Sequence, residues 1–352
     1  MYEETNEDPM MNESANTNSA PSPSKFQKIQ LRLIPALNII GFILVIIVNA
    51  LGAAGILNNI PTGKVSDEYE TPLTPAGYAF SIWGLIYTFI ALVIVINTVQ
   101  SLIMGRNNEL LNEKISILLP VNFLFNCLWM FAWQYSARGN IGLLWLSLVF
   151  MFGILASLIL MYLRVNVHYY EPSKKENSKP TIQGNSILAK FVNSFTMTRK
   201  CNFWEYWIVQ PMISLYMGWI SVATTINIAI TLTTHFSTTE SNIYERSLWG
   251  VSNVIWTCIL EGVIVCLGII FLHWKRDFVF ASVFSWALFA VSVKQKANQV
   301  VSVCSAVCAS IIIFFVLYTI VLTLVDYIQC YGGIKGTWKQ IRKSVKKSFT
   351  KN

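Results

Sequence analysis

The sequence predicts an all-α membrane protein of about eight transmembrane helices, and three observations carry that prediction. Of its 352 residues 54% are apolar and 12% charged, and the mean hydropathy is +0.51, a balance outside the usage of soluble domains. Eight apolar runs approach the roughly 20 residues that a helix needs to cross a bilayer. The basic residues, finally, gather on one side of those runs.

Before the first run, residues 1–30 open with Glu3, Glu4, Glu7, Asp8 and Glu13 among Asn, Ser and Pro, the composition of a disordered tail. The acidity speaks against a mitochondrial presequence, and no secretory signal precedes the first run. That run covers 34–56. The loop after it holds Pro61, Pro72 and Pro75, with Lys64 set against Asp67, Glu68 and Glu70. Prolines restrict the unfolded chain, so the loop is expected to be ordered and to act as a lid.

The second run, 77–101, starts with "PAGYAFSIWGLIY". On a helix Phe80, Trp83 and Tyr87 form one stripe, and Gly77, Ser81 and Gly84 form a small-residue strip beside it. The strip is expected to admit a close neighbour and aim the aromatics inward. In the third run, 116–135, Asn122, Asn126, Trp129 and Trp133 fall on one face. A fourth run occupies 141–163, and a basic stretch follows it.

The fifth run, 206–232, repeats the pattern with Tyr216, Trp219, Ala223 and Asn227. The sixth, 247–272, carries Trp249, Asn253 and Trp256, and also Glu261 in its middle. Amides in lipid need partners, so these faces are expected to point into the bundle. They would either glue helices together or converge on an aromatic, polar-tipped pocket. An ionisable group at mid-span reads as functional. The seventh run is the shortest, 278–293 between Asp277 and Lys294, and the eighth covers 299–325.

In the tail, Trp338, Ile341, Val345 and Phe349 share a face flanked by Lys339, Lys343, Lys346 and Lys347. Such a segment suits an anionic lipid surface. With the amino terminus cytoplasmic, 21 of the 26 Lys and Arg residues lie on the cytoplasmic side, as the positive-inside rule expects of eight spans with both termini inside. The net charge of +8 thus implies no nucleic acid.

The chemistry offered for catalysis is thin. His168, His235 and His273 sit in loops or at span ends, and no carboxylate dyad or glycine-rich phosphate loop appears, so no enzyme is expected. The seven cysteines lie mostly within spans and form no disulfide framework. Cys304 and Cys308 share a face without a His nearby, so no metal site is expected.

Three of these stretches carry a resemblance. "YMGWISVATTIN" (216–227), "NCLW" (126–129) and "PAGYAFSIWGLIY" resemble the fifth-, third- and second-helix signatures of the tryptophan-rich sensory protein or translocator protein (TspO/MBR) family. The resemblance implies a five-helix TspO-like domain over 31–232. A three-helix membrane extension then covers 233–326, where "SWALFAVSVKQ" resembles longer bacterial relatives, and a basic amphipathic tail covers 327–352. It also implies a sensory or ligand-binding protein for tetrapyrroles such as haem or protoporphyrin. The pocket would be lined by Trp83, Tyr87, Asn126, Trp129, Trp219, Ala223 and Ile226, with Asn227 beside them. The family's sterol-associated pattern is absent, since Ile228 stands where a Tyr would and no basic residue follows. The expected partners are the bilayer, anionic lipid at the tail, a small hydrophobic ligand and a second copy in a homodimer. The alternative function is a secondary transporter of a small solute working through Glu261.

Overall fold

The computed structural model describes residues 25–165, 205–238 and 240–330, together with Arg342. The acidic amino-terminal segment 1–24, the basic stretch after 165 with His168, and the amphipathic tail all lie outside the described residues.

Each apolar run is a helix. We number them α1 (Lys25–Ala53), α3 (Ile82–Thr98), α4 (Leu118–Ser136), α5 (Ile141–Val165), α6 (Gln210–Phe236), α7 (Asn253–Lys275), α8 (Phe278–Lys294) and α9 (Gln299–Cys330), with a short α2 (Thr62–Glu68) in the first loop. Six of the helical stretches are long and apolar enough to cross a membrane. Of the eight expected, the two that fall outside that set are α4, which carries Asn122, Asn126 and Gln134, and α8, a shorter apolar helix of 17 residues. Both have a physical reason to be less lipid-like, because their polar or small faces are covered by protein. Asn122, Asn126 and Gln134 are fully buried.

The arrangement centres on α6. Two thirds of its apolar stretch (67%) is buried, against 28–39% in the other five long helices. Helix α5 packs on one side of it, and α8 on another, while α1 packs on α4 and also touches α3. Large apolar side chains such as Ile43, Leu44, Val149, Ile255, Val263, Phe314 and Leu317 remain exposed on the outer helix faces, as a lipid-facing surface requires.

Close approaches occur where glycine allows them. A Cβ at Gly41 would lie 2.8 Å from the Phe123 ring, one at Gly153 2.7 Å from Phe125, and one at Gly218 3.1 Å from Val283 and the Phe280 carbonyl. These three glycines seat α1 on α4, α5 on α4 and α6 on α8. The expected small-residue strip of the second span does not play this part. A Cβ at Gly77 or Gly84 meets nothing within 4 Å, because that side of α3 faces outward.

Helix boundaries differ from the sequence expectation at the second and sixth spans. Gly77–Ser81 forms a 3-10 turn ahead of α3. Residues 247–252, expected to begin the sixth span, form a tight hairpin in which Ser247 pairs with Ser252 and Leu248 with Val251. Trp249 and Gly250 make its turn with φ of 54° and 77°, the two positive values that a type I′ hairpin turn requires. Helix α7 starts at Asn253, where the Ser252 hydroxyl accepts from the Val254 N–H as a cap.

Helix α8 is held at both ends. At its start Asp277 accepts from the Phe280 N–H at 3.0 Å, from the Tyr162 hydroxyl of α5 at 2.9 Å, and from Ser214 and Gln210 of α6 at 2.6 and 3.3 Å. Burial pushes the Asp277 carboxyl above its ordinary range, and the four donors only partly offset that. At the far end, Gln295 donates to the carbonyls of Thr71 and Thr74 at 3.3 and 2.9 Å. There, too, the Ala76 N–H donates to the Ala290 carbonyl and the Trp286 indole to the Ala79 carbonyl. Its middle presents apolar residues all round, including Phe280, Val283, Phe284, Ala287, Leu288 and Val291, all buried.

Candidate functional site

The aromatic faces meet. Phe80 packs edge-on to Trp219 with ring centroids 5.8 Å apart, and Trp83 packs edge-on to Tyr216 at 5.7 Å. Trp83 also lies against Tyr87 at 5.4 Å, and Tyr87 against Phe42 of α1 at 6.2 Å. The stripe predicted on the second span therefore does face the fifth, and α1 completes the cluster through Phe42, which also touches Phe123 of α4. Such edge-on and tilted pairs are the geometry that ring quadrupoles favour.

A hydrogen-bonded chain runs beneath the rings. Asn49 of α1 donates to the Asn126 carbonyl oxygen at 2.9 Å, and the Asn126 amide donates to the Tyr216 hydroxyl at 3.0 Å. Three helices are tied at one buried point, where an unpaired amide in lipid would be costly. Asn126 was expected among the residues lining a ligand pocket. Its oxygen and nitrogen are instead already engaged by the protein.

The remaining expected residues divide. Trp129 stacks on Trp133 at 6.3 Å, Trp133 meets Tyr69 of the first loop at 6.1 Å, and Ile226 packs with the same group. Ala223 packs against the main core beside the rings. Asn227 turns elsewhere: it exchanges hydrogen bonds with Ser147 of α5 at 3.2–3.4 Å and accepts from Thr231, so it joins helices rather than lining the cluster. Asn122 does likewise with Ser157 and the Ile154 carbonyl. The sixth span does not contribute its predicted face. Trp249 is 64% exposed on the hairpin turn, and Trp256 donates to the Leu248 carbonyl beneath it.

Two polar atoms, one in the ring cluster and one on the Trp129–Trp133 stack, lack a protein partner. The Tyr87 hydroxyl and the Trp129 indole nitrogen are both buried and make no hydrogen bond among the described residues. Buried donors are almost always satisfied, and these two belong to a wider set of buried polar atoms without a partner among the described residues, which also includes Asn97 Nδ2 and Thr98 Oγ1.

The first loop closes over this region. Tyr69 donates to the Ser136 carbonyl, Gln134 donates to the Ile60 carbonyl at 2.8 Å, and Tyr135 to the Leu57 carbonyl at 2.6 Å. Glu68 accepts from the Arg138 N–H at 3.0 Å. The acidity of the loop is answered from a distance. Lys294 of α8 lies 3.4 Å from Glu70 and 3.9 Å from Asp67, while Lys64 is 3.7 Å from Asp67. The sequence showed Lys64 alone as the local counter-charge; Lys294 comes from a run more than two hundred residues away.

No curated protein and no solved structure matches the chain. The family model described as TSPO-like protein does match, over residues 35–318, a span that takes in the additional helices α7 and α8 and most of α9. With most of its length matched, from the first membrane helix into the last, the chain belongs to the TSPO-like protein family and is a multi-pass integral membrane protein.

Proposed function

We propose that the protein binds a flat, amphipathic hydrophobic ligand of tetrapyrrole type within the aromatic cluster of α3, α4 and α6. The observation that carries this reading is the unsatisfied buried hydroxyl of Tyr87 among Trp83, Tyr216 and Phe42, with the Trp129 indole nitrogen, also unsatisfied, on the neighbouring Trp129–Trp133 stack. Ring faces supply dispersion and stacking to a macrocycle, and the two donors would meet acceptors at its edge. Because the rings now touch one another, binding proceeds by parting Trp83 from Tyr87 and Tyr216 beneath the first loop. The role is one of reception or sensing, without covalent chemistry.

Titrating purified protein with protoporphyrin or haem and following tryptophan fluorescence tests the proposal. Saturable quenching that weakens in Trp129→Ala and Trp219→Ala supports it; quenching that is absent, or indifferent to both changes, overturns it. The transporter alternative through Glu261 has weaker support, because that carboxylate is enclosed between α7 and α9 and accepts from the Ser305 hydroxyl.

The same reading puts both termini on the basic, cytoplasmic face, with the amphipathic tail on anionic lipid. Accessibility of cysteines introduced in the first loop and near residue 342, measured in sealed vesicles, reports the orientation.

A further inference from the structure

Two helices outside the aromatic cluster bring together a set of groups that no single stretch of sequence displays. Cys258 and Glu261 lie three residues apart on α7 and so share its face. They meet Cys304 of α9, and the two sulfurs and a carboxylate oxygen all lie within 4.8 Å of one another. Cys308 follows Cys304 one turn along the same helix.

Glu261 is the second observation. Its side chain is 0% exposed, one oxygen accepts from Ser305, and the other is buried with no partner among the described residues. The groups that act on this carboxyl are Ser305 and Cys304, neither of which is a cation. An enclosed mid-helix carboxyl with one unpartnered oxygen and two sulfurs within 4.8 Å of a carboxylate oxygen offers a set of donor atoms for a cation.

We propose that Cys258, Glu261 and Cys304 bind a thiophilic divalent cation of the zinc class, clamping α7 to α9, with Cys308 as the nearest further sulfur donor. Sulfur with one carboxylate selects Zn²⁺ or Cd²⁺ over Mg²⁺ or Ca²⁺, which take oxygen donors. Both thiols and the carboxylic acid release their protons, and the two thiolates and the carboxylate bind M²⁺, leaving one net negative charge on the site. Metal uptake therefore releases three protons and involves no change of oxidation state.

The experiment uses the full chain purified in detergent, with Cd²⁺ as the probe. Expected are about one ion bound per chain and a thiolate-to-metal charge-transfer absorption, with affinity falling at least about tenfold in Cys258→Ser, Cys304→Ser and Glu261→Gln. Cys266→Ser, at an exposed cysteine on α7, should bind as the parent does. A second readout needs no variant: Cd²⁺ should slow maleimide labelling of Cys258 and Cys304 and leave Cys266 as reactive as before. Absence of the absorption band, a band that survives the double Cys258→Ser, Cys304→Ser change, or labelling of Cys258 and Cys304 that Cd²⁺ does not alter would each overturn the proposal.

Discussion

The Gln295 side chain, at the end of α8, donates both of its hydrogen bonds to the main-chain carbonyls of Thr71 and Thr74, residues more than two hundred positions earlier. Gln295 is fully buried, and its own oxygen accepts from the Tyr244 hydroxyl at 2.7 Å. One side chain thus joins the first loop, the hairpin loop before α7, and α8. Replacing it by Ala leaves two carbonyls and a hydroxyl short of a partner. Gln295→Ala should lower stability by about 1–3 kcal/mol, read as a fall in thermal midpoint, and should make the first loop more sensitive to protease. Lys294→Ala, which removes ion pairs about one-third exposed at the lysine, should cost under about 1 kcal/mol and shrink further in high salt.

Asp277 predicts a dependence on pH. Its carboxyl is raised above its ordinary range by burial, so the folded protein binds its proton more tightly than the unfolded chain does. The stability this contributes is fully present below the unfolded pKa and is lost as pH rises through the folded one. Thermal midpoints should therefore decline as pH rises out of the ordinary carboxylate range. In Asp277→Asn that component of the slope should vanish. Asp277→Ala, which removes the acceptor shared by Tyr162, Ser214 and Gln210, should destabilise at every pH, by about 1–3 kcal/mol for each donor left unsatisfied.

Gly218 seats α6 against α8, with 3.1 Å between its missing Cβ and both Val283 Cβ and the Phe280 carbonyl. Gly218→Leu forces the helices apart and should cost about 1–3 kcal/mol, the usual range for overpacking. Gly84→Leu, at a position open to 4 Å, should leave the thermal midpoint near that of the parent. Equal effects from the two substitutions would contradict the packing described.

Tyr87 separates a binding role from a packing role. Its hydroxyl has no partner, so Tyr87→Phe removes a buried polar group whose desolvation costs about 1–3 kcal/mol. The variant should be as stable as the parent or more so. If the hydroxyl serves a ligand, the same change should weaken porphyrin quenching severalfold. A loss of stability together with unchanged quenching would exclude Tyr87 from the proposed site.

The helices were legible in the sequence because lipid imposes a single length and a single polarity on them, and of the aromatic stripe Trp83 and Tyr87 are half-buried against neighbouring helices while Phe80, which touches Trp219, is 40% exposed. What local pattern could not show is which helix each face meets. The 249, 253, 256 spacing reads as a helix face, yet Trp249 and Gly250 form a turn, and periodicity carries no information about φ. Asn126 and Asn227 look alike as buried amides, but one sits among the rings and the other faces Ser147. The seventh run looked weak as a span because it is short. It is short and apolar all round because protein, rather than lipid, covers most of it. Asp277 and Lys294 read as mere ends of that run, whereas both are its attachments. Cys258 and Glu261 are separated from Cys304 by more than forty residues, so their convergence depends wholly on how α7 packs against α9.

The two-ended attachment of α8 bears on how the ring cluster can respond to anything. The cap above the rings is bonded to Gln295, Ala290 and Lys294, and the same rigid helix reaches down to Asp277 between α5 and α6. Lifting the cap either breaks those bonds or drags the helix with it. If a ligand parts the rings as proposed and lifts the cap, its binding and the bonds at Gln295 and Asp277 would be linked, and the linkage would be reciprocal.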